Sequence, residues 1–172
     1  MSGFFRASAR LALLCVMVLG AAGCNYGLRG GGGFPSHIRT LYIAPLQNDT
    51  RQFDVDQQLY RALSERLPRQ LGVRPASERT ADAVMRGTIT RYEDIAQSRP
   101  GAPGTVEVVQ HQVSITMSIQ IIDVRENMVL FESSGISGRG EYQPDTQTDE
   151  VARTRAIELL IQQIVDNAQS QW

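Results

Sequence analysis

The stretch TVEVVQHQVSITMSIQIIDV, from Thr105 to Val124, decides the fold. Its second half, VSITMSIQI, alternates apolar and polar side chains, which is the pattern of a β-strand with one buried face. Upstream, Val106 and Val108 are apolar in the opposite phase. Because a slip of one residue exchanges the two faces of a strand, the sequence predicts a bulge or sharp bend between Val108 and Gln112.

Strand-like and helix-like patterns alternate on both sides of this stretch. The predicted elements are a strand at Thr40–Leu46, an amphipathic helix at Asp54–Leu71, a strand from Val84 to Tyr92, the long strand quoted above, a strand from Met128 and a helix at Thr148–Ala168. This order, β-α-β-β-β-α, predicts an α+β fold, a two-layer sandwich of a four-stranded mixed β-sheet with two α-helices on one face. The first two strands are expected to be parallel and the later neighbours antiparallel.

Cap and turn residues set the expected ends of these elements. Asp54 followed by Gln57 predicts a capping box, and Gly72 predicts the stop of the first helix. Pro68 is expected to kink that helix or end it one turn early. Asn127, in the turn that precedes the strand from Met128, is a candidate for positive φ.

An export signal precedes the predicted domain. Arg6 and Arg10 supply a positive region. Leu11–Gly20 forms an apolar region of fewer than a dozen residues, and small residues follow it. A membrane-spanning helix needs about 20 apolar residues, so the segment is interpreted as a signal peptide rather than a retained anchor.

The cysteine that ends this signal resembles the lipidated cysteine of a bacterial lipobox. That resemblance implies acylation of Cys24, which then becomes the first residue of the mature chain. Ala21 stands where the lipobox most often has Leu, and ordinary secretion with cleavage near Ala22 is the alternative. Asn25 after the cysteine implies sorting to the outer membrane.

The predicted organisation is a signal peptide at 1–23, an acylated cysteine and Gly-rich tether at 24–36, and a single periplasmic α/β domain at 37–172. Both cysteines, Cys15 and Cys24, lie in the signal or at its end, so the mature chain has no pair for a disulfide. Mature charge is about −3, with every basic residue an arginine, which argues against a nucleic-acid partner.

The residues of catalytic or metal-binding type are too few and too scattered to predict an enzyme. His37 and His111 are the two histidines in the sequence, and they do not form a usual zinc pattern with one terminal cysteine. His111 is interpreted as structural or exposed. Glu93 and Asp94 are neighbours that would point to opposite faces of a strand, so they do not predict an acid–base pair. No catalytic residue, metal or cofactor is predicted, beyond the covalent lipid on Cys24.

Two arginines are candidate ligands for phosphate. Arg99 lies in QSRPGAPG, predicted as a mobile tip, and Arg139 lies between two glycines. Both are predicted on exposed loops, where the guanidinium fork suits an anionic ligand. The stretch SSGISGRGEY around Arg139 is expected to be extended but weakly specified, at a sheet edge. Arg86 and Arg91 are interpreted as solvent-face residues of a strand.

Several short segments together resemble the LPS-assembly lipoprotein LptE family. They are CNYGLRG from Cys24, Pro35, IRTLYIAPLQN, and ADAVMRGTI after an amphipathic helix. Asn25 stands where the family usually has Gly, and the run Gly30–Gly33 is additional. The resemblance covers nearly all of the mature chain in element order.

This resemblance implies a lipid-anchored protein that faces the periplasm from the outer membrane. It implies that the protein plugs the LptD β-barrel, assists assembly of that barrel and contacts lipopolysaccharide, with Arg99 and Arg139 near the basic positions implicated in that contact. The alternative is a periplasm-facing lipoprotein of similar architecture that activates a peptidoglycan synthase or acts in a secretion pore.

Overall fold

In the described part of the chain, six strands form one mixed sheet, and two helices pack on one of its faces. The structure is a computed structural model that describes the backbone of residues 34–100 and 106–170 and the side chains of residues 34–98 and 110–170. The elements are β1 (Thr40–Ile43), β2 (Gln47–Asn48), α1 (Val55–Gln70), β3 (Arg74–Pro75), β4 (Ala83–Pro100), β5 (Val106–Asp123), β6 (Met128–Tyr142) and α2 (Asp149–Ser170).

The strand order is β3-β1-β4-β5-β6, and β2 also pairs with β4. β1 and β4 are parallel, whereas β4, β5 and β6 are antiparallel neighbours, so the predicted fold class and pairing are confirmed. The prediction of four strands missed β2 and β3, which have only two residues each. The predicted first strand is divided at Pro45, which has no N–H to give to the ladder. On either side of that break, Ala44 and Asp49 donate to backbone carbonyls of β4.

The long central strand carries the predicted bulge. Gln110 pairs with Gln97, and Val108 pairs with Ser98, which leaves Val109 as the extra residue. The slip in the apolar pattern therefore marked a real register shift, within the interval that the sequence indicated. Asn127, in the turn between β5 and β6, has φ of 49°, as predicted.

The first helix buries the residues that recur every fourth position, Val55, Leu59, Leu63 and Leu67. The predicted capping box is wrong, because Asp54 has φ of 70° and its side chain makes no cap hydrogen bond. The helix also continues two residues beyond Pro68, so the proline does not end it a turn early. Gly72, with φ of 72°, terminates it as expected, and its N–H donates to the carbonyl of Arg69.

One hydrophobic core lies between the sheet and the two helices. The covered face of β5 contributes Val113, Ile115, Met117, Ile119 and Ile121, all 2 % exposed or less. The second helix buries a continuous stripe against β5 and β6, made of Ala152, Ala156, Ile157, Leu160, Ile161, Ile164, Val165 and Ala168. No helix within the described residues is both long and apolar enough to cross a membrane.

The last strand is at the sheet edge, as predicted, but it is not weakly specified. At Gly138 an added Cβ would overlap the backbone carbonyl of Ala156, and at Gly140 it would overlap that of Ala152. The two glycines alternate with exposed Arg139 and therefore present their bare backbone to α2. The small residues of β6 are thus the contact surface of a helix that lies against the strand.

Candidate functional site

The sheet face opposite the helices, called the open face below, is mainly polar. Along β5 its central column consists of Ser114, Thr116, Ser118 and Gln120, each half-buried. Residues paired across neighbouring strands share a face, so this column extends sideways onto β4 and β6. A shallow groove of about 250 Å³ crosses all three strands where Arg86, Gln120 and Glu132 lie. The open face is therefore an extended polar surface.

Arg139 lies on this open face, paired with Ser114 of β5. The prediction of a loop position is wrong, because Gly138 and Gly140 are strand residues packed against α2 rather than flexible loop residues. The guanidinium side chain is nevertheless exposed. Its backbone is held by a strand and a helix, so its position on the sheet is more firmly fixed than it would be on a loop.

Arg99 is also a strand residue by its backbone, since β4 continues to Pro100 and Arg99 pairs with Glu107. The predicted tip at 97–104 therefore begins later than expected, and both the side chain of Arg99 and residues 101–105 lie outside the described part. Arg99 and Arg139 pair with β5 residues seven positions apart. At about 3.3 Å per residue this places them roughly 23 Å apart along the sheet, so the structure does not bring the two candidates together.

Arg91 is the arginine that the sheet places near Arg139. It pairs with Thr116, two residues along β5 from Ser114, and both arginines flank that strand on the open face. Strand spacing and rise put their Cα atoms about 12 Å apart. Arg91 is confirmed as a solvent-face residue, with its side chain 67 % exposed and only 3.9 Å from the Glu93 carboxylate. That exposed pair contributes little stability, so the guanidinium remains accessible.

Sequence reasoning did not group these two arginines because it placed Arg139 on a loop rather than on a strand beside β5. The bulge at Thr90 also shifts the register of β4, which the sequence did not indicate. Counting residues by two from Arg86 puts Arg91 on the covered face, and the extra residue returns it to the open face. The signal that would have revealed this is the isolated break in alternation after Ile89, where Thr90 and Arg91 are both polar.

His111 has an acidic partner that the sequence did not identify. Its Nδ1 lies 2.9 Å from Oδ1 of Asp94, and the Tyr142 hydroxyl donates to Oδ2 of the same carboxylate at 3.1 Å. Partial burial, and then the hydrogen bond to Asp94, raises the pKa of Tyr142. The three residues come from β4, β5 and β6, so this network joins the three strands.

Asp123 is a fully buried carboxylate at the end of β5. Its Oδ1 accepts the backbone N–H groups of Arg125 and Glu126, and its Oδ2 lies 2.5 Å from Nε2 of His37. Burial would raise the pKa of Asp123, but the bonds from His37 and from the turn outweigh burial and hold that pKa below its ordinary value. The carboxylate therefore joins the β5–β6 turn to the segment that leads into β1.

His37, Asp123 and Glu126 place potential metal-ligand atoms within 4.8 Å of one another. Two ligands of a tetrahedral zinc lie about 3.3 Å apart, given metal–ligand distances near 2.0 Å. The 2.5 Å separation of Nε2 and Oδ2 is instead that of a hydrogen bond. The oxygen Oδ1 is also occupied by the turn, so the geometry is that of a structural clamp.

We expect Asp123→Asn to lower the free energy of unfolding by about 1–3 kcal/mol at neutral pH, because the amide cannot satisfy all three donors. The depressed pKa of Asp123 also gives stability that is present above the unfolded value, near 4, and is lost as pH falls through the folded value. The variant should therefore lose less stability than the parent on acidification. Thermal unfolding from pH 7 down to pH 3 measures both effects.

Asp145→Asn is the matched control, since Asp145 is exposed in the turn that precedes α2. Its stability should stay close to that of the parent at every pH. Equal effects of the two substitutions would contradict the clamp.

The described domain therefore has a polar sheet surface on one side and a helix layer on the other. The family model for lipopolysaccharide-assembly proteins, LptE, matches residues 38–168. This match spans most of the chain and nearly all of the described domain. The chain belongs to the LptE family. No curated protein matches the sequence.

Several solved structures are similar at low sequence identity. A Helicobacter pylori protein named as a homologue of the neuraminyllactose-binding hemagglutinin aligns with TM-score 0.50 and 11 % identity, over 86 % of this chain and 90 % of that one. A minor lipoprotein from Acinetobacter baumannii aligns with TM-score 0.43 and 20 % identity, over 78 % and 92 %. A Neisseria meningitidis lipoprotein aligns with TM-score 0.44 and 10 % identity, over 74 % and 99 %. At 11 % identity, the likeness to the Helicobacter pylori protein concerns the fold alone.

Proposed function

We propose that this chain is an outer-membrane lipoprotein of the lipopolysaccharide transport and assembly machinery, anchored by a lipid on Cys24 and facing the periplasm. In this role it plugs the LptD β-barrel, assists its assembly and contacts lipopolysaccharide, without enzymatic chemistry. The observation that carries the proposal is the LptE family match over residues 38–168. Cys24 itself lies outside the described residues, so its acylation rests on the lipobox resemblance.

The architecture suits a plug. The sheet and the two helices on one of its faces share one hydrophobic core, which makes a rigid body that a large barrel can enclose. The open face carries Arg86 and Arg91 of β4 and Arg139 of β6, alongside glutamates on the same two strands. Arginine forks bind phosphate groups in two-point contacts, and such groups are the anionic part of lipid A.

The direct experiment is affinity capture of the full acylated chain from outer membranes solubilised in mild detergent. We expect a large β-barrel protein to co-purify in a fixed ratio, because a plug buries much of its surface in the barrel. Capture of the acylated chain with no barrel protein would contradict the proposed role.

Depletion in cells separates this role from the alternative of synthase activation or a secretion pore. Loss of lipopolysaccharide from the cell surface is the expected result. A cell-wall or secretion defect with normal surface lipopolysaccharide would favour the alternative instead.

We further expect Cys24→Ala, exported with its signal cleaved in cells that lack the barrel, to leave the membrane fraction while its domain stays folded. The reason is that the domain core lies in residues distant from Cys24, whereas the lipid supplies membrane attachment. Fractionation and the circular dichroism of the purified variant measure the two properties. A variant that remained fully membrane-bound in cells lacking the barrel would exclude lipid anchoring at Cys24.

A further inference from the structure

The two edges of the sheet differ in how well they are protected. At the first edge, Arg74 and Ala76 donate their N–H groups to carbonyls of β1, so Pro75 between them is the residue of β3 that faces outward. Proline has no N–H to present, and proline on an edge strand is one way in which proteins block further pairing. At the second edge lies β6, which pairs with β5 on one side and with no described strand on the other.

The second half of β6 is a regular strand. Its register with β5 is continuous over residues 136–142, whereas the first half is interrupted by register shifts at Leu130 and at 134–135. Bulges disturb the pairing of a further strand, and a regular segment without proline favours it. Residues 136–142 are called the free edge below.

The backbone groups of the free edge alternate between β5 and the outside. The carbonyl of Thr116 points toward β4, where it accepts the Thr90 hydroxyl at 3.3 Å, so the backbone of its neighbour Ile115 points toward β6. Ile115 pairs with Gly138, so Gly138 and every second residue from it bond to β5. The residues between them direct their N–H and C=O groups outward, and these groups have no backbone partner among the described residues. The outward-facing residues are Ser137, Arg139 and Glu141.

The helix α2 holds the free edge in place. Gly138 and Gly140 lie directly against the backbone of Ala156 and Ala152, which fixes the strand from its covered face. The outward groups of alternate residues therefore repeat about every 7 Å along a firmly held strand. A partner must offer donors and acceptors at the same repeat, and an extended polypeptide does so.

We propose that the free edge is a strand-addition site, which pairs with an extended segment of the β-barrel protein that encloses the domain. This inference rests on the proposed function, because the enclosing barrel protein is the polypeptide within reach of the edge. Strand addition draws its affinity from backbone hydrogen bonds and its selectivity from alternate side chains. The exposed carboxylate of Glu141 favours a basic residue opposite it in the added strand.

Amide hydrogen exchange tests the pairing. The full acylated chain is measured alone in detergent and in the complex captured with its barrel. In the free chain, the outward amides of Ser137, Arg139 and Glu141 should exchange rapidly, whereas those of Gly138 and Gly140, bonded to β5, should exchange slowly. In the complex we expect the three outward amides to become slow as well.

The outcomes of this measurement separate the inference from the proposed function. Rapid exchange of the outward amides in a complex that contains the barrel would overturn strand addition and leave the proposed function standing. Protection that grows with the concentration of the chain alone would also overturn it, in favour of pairing between two copies. Failure to capture any barrel protein would overturn both together.

Ser137→Pro tests the same site through binding. The proline removes an outward N–H that the fold itself does not use, so we expect a melting temperature close to that of the parent. Its binding to the purified barrel should weaken about tenfold, the effect of one lost hydrogen bond. Ser137→Ala is the matched control, since it keeps the N–H and should bind as the parent does. Equal binding by the two folded variants would contradict the proposal, and if the proline variant does not fold, hydrogen exchange in the parent chain decides.

Discussion

Gly138→Ala is expected to lower the free energy of unfolding by about 3 kcal/mol or more. The new Cβ would overlap the backbone carbonyl of Ala156 and lie 2.8 Å from the Cβ of Leu160. These atoms belong to the backbone and first side-chain carbon of a packed helix, so they cannot rotate away. Either α2 moves off β6 or the edge strand bends. A fall in the melting temperature of roughly 10 °C should be seen by circular dichroism.

Gly135→Ala is the matched control on the same strand. No atom lies within 4 Å of a Cβ added there, and its φ is not in the left-handed region. Its stability should remain within about 0.5 kcal/mol of the parent. If both alanine variants were equally stable, the close packing of α2 on β6 would be refuted.

Arg91→Glu combined with Arg139→Glu is expected to weaken lipopolysaccharide binding by about a hundredfold. A hydrogen-bonded contact to a charged group contributes about 1.5–3 kcal/mol, or at least tenfold in affinity for each arginine. Both side chains are exposed and lie on rigid strands, so the fold should be unaffected. Titration of the purified full-length variant with lipopolysaccharide in detergent, at two salt concentrations, measures the loss.

Arg79→Glu gives the same charge change per residue at an exposed turn away from the open face. It should retain parental affinity, which would exclude a general effect of net charge. Arg99→Glu is tested separately and measures whether Arg99, on the β4–β5 hairpin, contributes to lipopolysaccharide binding on its own. Unchanged lipopolysaccharide affinity in the double variant would contradict a binding role for Arg91 and Arg139.

Local patterns predicted the elements that depend on local chemistry. The alternation in β5 predicted a half-buried strand, and its slip predicted the bulge at Val109. Val55, Leu59 and Leu63 recur at every fourth position, which predicted a helix with one buried face. Each of these features follows from the period of the backbone, which is the same wherever the element lies in the fold.

The errors have a different origin. Ser-Gly-Arg-Gly in β6 has the composition of a loop, and only the approach of α2 shows that its glycines are required by packing. The capping box at Asp54 failed because the chain enters α1 with positive φ at that residue, which turns its side chain away from the helix N-terminus. The composition of a segment indicates which conformations its residues allow. It does not indicate which side-chain sizes or backbone angles the neighbouring elements require.

The sequence alone predicted the order of the main elements and the family resemblance, which the structure and the family match confirm. The outer-membrane compartment and a mature chain without a disulfide stay predictions. Which side chains lie near one another could be learned only from the folded sheet. Strand pairing between residues far apart in the chain places Arg91 across β5 from Arg139, bonds His111 to Asp94, and aligns Tyr42 with Val129. Periodicity assigns a residue to one of two faces, whereas register, bulges and helix packing determine its neighbours on that face, and those depend on contacts that no local pattern contains.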